Sequence, residues 1–234
     1  MRRLSSLLLI VAASLLLAAC QASRSKGFLG SLMRPQNLKV GMAVDTPPLA
    51  MKKNGQISGL EWDFAQGLAQ SMQRSVEVVE LPRKELAQAL LERKVDIVMA
   101  GVTVAEAQRQ QLTVTEPYLI SGQVVLVRLD DFQRFGHGTR NLTTEGVRLG
   151  AVEHSAGDTL LNGLHPKGSI NRFPSAPEGL RALVSEQIDV FVHDFPSNGY
   201  FASLFIDKGL TPGVSLLTRE PLAWAVRPKD STMR

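Results

Sequence analysis

Runs of β-branched and apolar residues alternate with stretches whose apolar positions recur every three to four residues, so the chain reads as strand, helix, strand throughout. Leu38 to Val44 is the first such run. Gly59 to Arg74 follows, with Leu60, Phe64, Leu68 and Met72 spaced four apart, which makes one apolar helical face. Strand Val76 to Leu81, helix Lys84 to Arg93 and strand Val95 to Ala100 complete a first α/β unit. The last of these is nearly all apolar, as a strand covered on both faces of a parallel sheet should be. Gly101 ends it, Thr103 follows, and Ala105 to Gln111 is a short polar helix, so backbone NH groups and a hydroxyl gather at a strand's carboxyl end. Gln123 to Arg128 leads out of this unit.

The alternation then repeats. Val147 to Val152, Ser169 to Phe173 and Ile188 to Val192 are strands, and Ala156 to Leu164, Ala176 to Gln187 and Pro196 to Ile206 are helices. Leu129 to Glu145, polar and glycine-bearing, separates the two units, and the chain returns through Leu216 to Arg227. The expected fold class is therefore α/β in two lobes, residues 37–128 plus 218–234 in one and 129–217 in the other, with a hinge of two crossings. Such a hinge lets the lobes close on a ligand and exclude water. A chain of 234 residues with 44% hydrophobic and 21% charged residues can bury two modest cores.

Arg2 and Arg3 precede the apolar run Leu7 to Leu17, which is short for a membrane span and has the layout of a secretory signal. Leu17-Ala18-Ala19-Cys20 looks like the lipobox of bacterial lipoproteins, which makes residues 1–19 a signal peptide, Cys20 the lipidation site and residues 20–36 a tether. An ordinary signal peptide beside a coincidental cysteine is the other reading. Cys20 is the one cysteine of the chain, so no disulfide within the chain supports the fold. The net charge of +4 falls to +2 once Arg2 and Arg3 leave, and the basic residues are scattered. The footprint of a nucleic-acid binder is missing.

Three segments, NLKVGMAVDTPPLAMKKNGQISGLEWDFAQGLAQSM, KVDIVMAGVTVAEAQRQQLTVTEPYLISGQVVLVR and IDVFVHDFPSNGYF, resemble in order and spacing the family 3 extracellular solute-binding proteins, the amino-acid receptors of bacterial ABC importers. The resemblance covers about residues 37 to 229. It implies a periplasmic-binding-protein-like (type II) fold and a monomer that closes on a small polar ligand. It also implies a permease partner in the membrane, and together with the lipobox at Cys20 it makes the expected location extracytoplasmic and lipid-anchored. No cofactor or metal is implied.

The resemblance also assigns candidate ligand groups. Thr46, in Asp45-Thr46-Pro47-Pro48, stands where the family has an aromatic residue, or the two prolines merely shape a turn. Arg83 replaces a bulky residue and could pair with an anionic ligand group, or be one solvated charge in Arg83-Lys84-Glu85. Gly101 and Thr103 match the strand-end positions that hold a ligand carboxylate. The family's carboxylate-binding arginine aligns with Gln108, and Arg109 is one residue late, turned about 100° around the helix. In the second lobe Glu153-His154-Ser155-Ala156 keeps one hydroxyl, Ser155, at a helix start. Asp194 falls where the family has the carboxylate that pairs with the ligand ammonium, with capping of the following helix as its other role. Retaining the acid while losing the arginine and the aromatics biases the expected ligand toward an amine.

Cyclohexadienyl dehydratases resemble this family too, which makes His154, Ser155, His193 and Asp194 candidate catalytic groups. No nucleophile elbow, zincin motif or phosphate-binding glycine loop accompanies them, and a binding protein is the expectation. A sensory receptor is a third class. The family usually continues past the return strand Leu222 to Arg227 with further helices, whereas this sequence stops at Arg234, so a truncated or divergent short form is also expected.

Overall fold

A computed structural model of the chain describes residues 37–230. The proposed signal peptide, Cys20, the tether and residues 231–234 lie outside the described residues.

The first lobe forms because its central segment, residues 97–100, is apolar on both faces and its helices supply two apolar covers. Strands β1 (Leu38–Met42), β5 (Val76–Glu80), β6 (Ile97–Val98), β7 (Thr113–Val114) and β15 (Ala225–Val226) make one sheet in the order β5-β1-β6-β15-β7. β1 runs parallel to β5 and β6, and β15 is antiparallel to β6 and β7. Successive residues of the third segment go to opposite sides. Ile97 and Met99 pack with Ala65 and Ala69 of helix α1 (Leu60–Ser71), and Val98 and Ala100 pack with Leu86 and Leu90 of helix α2 (Arg83–Leu91). A short hairpin sheet, β2 (Asp45–Thr46), β3 (Ala50–Lys53) and β4 (Gln56–Ser58), carries the loop that follows β1.

The second sheet has the order β11-β10-β12-β9-β13, built from β9 (Gln123–Arg128), β10 (Arg148–Val152), β11 (Ser169–Phe173), β12 (Val190–Asp194) and β13 (Leu210–Pro212). This corrects the expected boundary. Gln123–Arg128 was placed with the first lobe, but it pairs antiparallel with β12 and β13 in the second. Residues 129–145 likewise form no crossing, because Phe135 and Leu142 are buried in the second lobe's core. The crossings are β8 (Leu119–Ser121) and β14 (Glu220–Leu222), paired antiparallel with Glu220 opposite Ser121. The outward crossing thus lies about ten residues before the start of the expected one, and the return crossing lies within the segment Leu216 to Arg227.

Helices α3 (Val104–Arg109), α4 (Phe132–Phe135), α5 (Ala156–Leu164), α6 (Ala176–Val184) and α7 (Phe195–Leu204) complete the two lobes. No helix among the described residues is long and apolar enough to cross a membrane.

Candidate functional site

A cavity of about 660 Å³ lies where the carboxyl ends of the two sheets face each other, a volume in the range of small-molecule sites. Its first wall is made by the loop after β1, the end of β6 and helix α3; its second by the starts of α5 and α7; and the crossings close the back. Thr46, Arg83, Gly101, Thr103, Ser155 and Asp194 all line it. Gln108 does not.

Helix α3 explains that difference. Thr103 is its N-cap and accepts the Glu106 NH at 3.0 Å, which starts the helix at Val104 and turns Ala105, Glu106 and Arg109 toward the cavity. Gln108 is exposed on another face. Arg109 makes no ion pair within the described residues, so a cation faces the cavity one position later than the aligned arginine.

Arg83 is already occupied. Its guanidinium donates to the carbonyls of Ala100 at 2.6 Å and Gly101 at 3.0 Å and pairs with Glu106 at 2.7 Å, tying the end of β6 to helix α3. Nor is the Gly101 NH open to a ligand, because it donates to Glu61 Oε1 at 2.6 Å. Gly101 adopts φ +62°, and a Cβ there would press on Leu49, so glycine suits this strand end for two reasons. Thr46 offers a buried hydroxyl with no partner in the cavity wall.

On the opposite wall Ser155 caps α5 by accepting the Asp158 NH at 3.2 Å. Asp194 occupies the N-cap position of α7 yet makes no side-chain cap bond. Its Oδ1 accepts instead from Gln123 Nε2 at 2.7 Å, and the same amide lies 3.4 and 3.5 Å from the two carboxylate oxygens of Glu220. Thr218 Oγ1 donates to Glu220 at 2.7 Å. Two carboxylates, one from the second lobe and one from the second crossing, thus face the cavity with no lysine or arginine partner among the described residues. His193 lies beside Asp194, Nδ1 to Oδ2 3.8 Å, between the rings of Phe191 and Phe201. Burial holds this imidazole below its ordinary pKa, only partly opposed by the Asp194 charge.

Behind the first wall sits a buried acid that hydrophobic spacing does not reveal. Glu61 is fully buried and accepts from Gly101 N, from Tyr118 Oη at 2.5 Å and from Trp224 Nε1 at 3.0 Å. Tyr118 precedes the first crossing, Trp224 follows the second, and their rings stack at 5.6 Å against Phe64. Desolvation by burial raises the Glu61 pKa above the usual carboxylate value despite these three donors, and burial beside that carboxylate raises the Tyr118 pKa as well.

The lobes also touch directly, since Ser197 Oγ in α7 donates to the Pro47 carbonyl at 2.8 Å. Ser197→Ala is expected to shift the protein toward open forms, raising the radius of gyration in small-angle scattering and weakening solute binding about two- to tenfold. Unchanged scattering and unchanged affinity would count against a latch.

Two α/β lobes, paired crossings and a polar cavity at facing strand ends define a two-lobed solute receptor of the periplasmic-binding-protein type. The sequence profile of the bacterial extracellular solute-binding proteins, family 3, matches residues 38–227, and the chain belongs to that family. It is 27% identical over 206 residues to the arginine-binding extracellular protein ArtP of Bacillus subtilis (strain 168), covering 84% of this chain and 76% of that protein. It is 24% identical over 213 residues to the glutamine-binding protein GlnH of the same strain, covering 83% and 75%. Among solved structures, an ancestral cationic amino acid solute-binding protein superposes with TM-score 0.78 at 28% identity over 88% of each chain. These relatives are binding proteins rather than enzymes, and no group of three potential metal ligands occurs among the described residues.

Proposed function

We propose that this protein captures an amine-bearing, amino-acid-like solute outside the cytoplasm and delivers it to an ABC permease, acting as a monomer held to the membrane through lipid on Cys20. The observation that carries the reading is Asp194. It is a carboxylate at a helix start that caps nothing, has no lysine or arginine partner among the described residues, and faces the opposite lobe across the cavity. An ammonium group is the chemistry such a carboxylate lacks. Arg109 supplies the complementary contact for a ligand carboxylate, and the hydroxyls of Thr46, Thr103 and Ser155 supply neutral ones. Relatives named for arginine and for glutamine support the amino-acid class without choosing within it.

The test is a thermal-shift screen of amino acids, amines and dicarboxylates. A solute present at a hundred times its Kd adds about 2.7 kcal/mol to stability, which for a domain pair of this size raises Tm by about 5 °C or more. Amines or amino acids should produce the shift. A shift from dicarboxylates alone overturns the reading.

A further inference from the structure

We propose that Glu220, on the second crossing strand, selects for solutes of net positive charge, so that the ligand is a basic amino acid whose side-chain cation is read by the hinge. The inference rests on the reading of the cavity as an amino-acid site and names the class of solute within it.

Charge balance in the cavity carries the argument. Besides His154, five side chains of formal charge line it: the guanidinium groups of Arg83 and Arg109, and the carboxylates of Glu106, Asp194 and Glu220. Arg83 and Glu106 neutralise each other at 2.7 Å. What remains is Arg109 on the first lobe and two carboxylates with no lysine or arginine partner among the described residues, a formal surplus of one negative charge with histidine counted as neutral. A neutral zwitterion satisfies Arg109 and one acid and leaves the other carboxylate desolvated without a cationic partner when the cleft closes, which is costly. A solute with one carboxylate and two cationic groups satisfies all three.

The two acids are not equivalent. Asp194 has the Gln123 amide at 2.7 Å, whereas Glu220 lies 3.4 to 3.5 Å from that amide and keeps a firm bond only to the Thr218 hydroxyl at 2.7 Å. Each acid thus accepts one firm bond, and Glu220, placed on the crossing strand rather than on the second lobe, is the carboxylate left for a second ligand cation once Asp194 takes the ammonium. Gln123 is itself 1% exposed and fixed through its backbone NH to Thr218 Oγ1 at 2.8 Å, so the two carboxylates are held in one frame at the crossing.

Isothermal titration of the purified protein with L-arginine and with its neutral isostere L-citrulline tests the assignment. The unaltered protein should prefer arginine by about tenfold or more, and Glu220→Gln should bring the ratio to within about threefold. Glu220→Asp, which keeps the charge, should restore most of the preference. A melting curve of each variant shows that it is folded, and the ratio is insensitive to a general loss of affinity. An unchanged ratio in Glu220→Gln overturns the proposal, as does equal binding of the two probes by the unaltered protein, and in both cases the receptor reading survives. If neither these probes nor any amino acid binds the unaltered protein, the receptor reading and the proposal fall together.

Discussion

Asp194→Asn is expected to remove solute capture almost completely, lowering affinity by about 2–4 kcal/mol, or roughly 30- to 1,000-fold. Asparagine preserves the size of the side chain and its Oδ1 acceptor, so the bond from Gln123 Nε2 survives. What disappears is the charge that an ammonium requires once the lobes close and water leaves. Because the carboxylate makes no capping bond to helix α7, the substitution should leave Tm within about a degree. Titration calorimetry with the best solute of the thermal-shift screen, together with a melting curve, separates the two effects. Affinity within about threefold of the unaltered protein would show that Asp194 is a bystander.

The second large effect concerns stability. Glu61→Ala strands three buried donors at once, the Gly101 NH, the Tyr118 hydroxyl and the Trp224 indole NH, and opens a void among Phe64, Tyr118 and Trp224. Water entering the void offsets part of this, and the expected net loss is about 2–4 kcal/mol, read as a lower urea midpoint. Glu61→Gln keeps the Oε1 acceptor shared by Gly101 and Tyr118 but turns an amide NH₂ toward the indole, so it should cost less. The pH dependence has a definite sign. The native pKa is raised above 4.5, so the native state binds the proton more tightly than the unfolded chain does. The group's stabilising contribution is then complete below pH 4.5 and declines as pH rises through the native value. The cost of Glu61→Gln should therefore be greatest in acid and smaller at neutral pH. Urea midpoints at the two pH values that move together for both proteins would exclude this linkage.

The sequence disclosed the alternation of elements because each strand and helix carries its own period, and Leu38–Met42, Val76–Glu80 and Arg148–Val152 fall where the apolar runs lie. It did not disclose which sheet receives Gln123–Arg128. A strand with Val124, Val125, Leu126 and Val127 all buried suits the interior of either lobe, and only its partners decide. The helix after Gly59 shows the limit of a hydrophobic face. Leu60 is 38% exposed while Glu61, Ala65 and Ala69 point inward, one residue around from the expected stripe. A carboxylate there reads as a solvent position until its three donors, distant in sequence, are seen together. Arg109 was in view beside Gln108, and the signal that could have chosen it was Thr103 as a helix cap. Glu220 had little local signal, since besides Thr218 two residues away its partner is Gln123, 97 residues distant in the second lobe's sheet.

Gly122 follows the first crossing at a point where a Cβ would overlap the Thr218 carbonyl oxygen. Two polypeptide strands pressed backbone to backbone have no slack for sliding lengthwise past each other. Opening and closing must then proceed as a twist about that pinch point, in the manner of a torsion spring, and any larger residue at position 122 would wedge the strands apart and bias the resting angle of the receptor before any solute arrives.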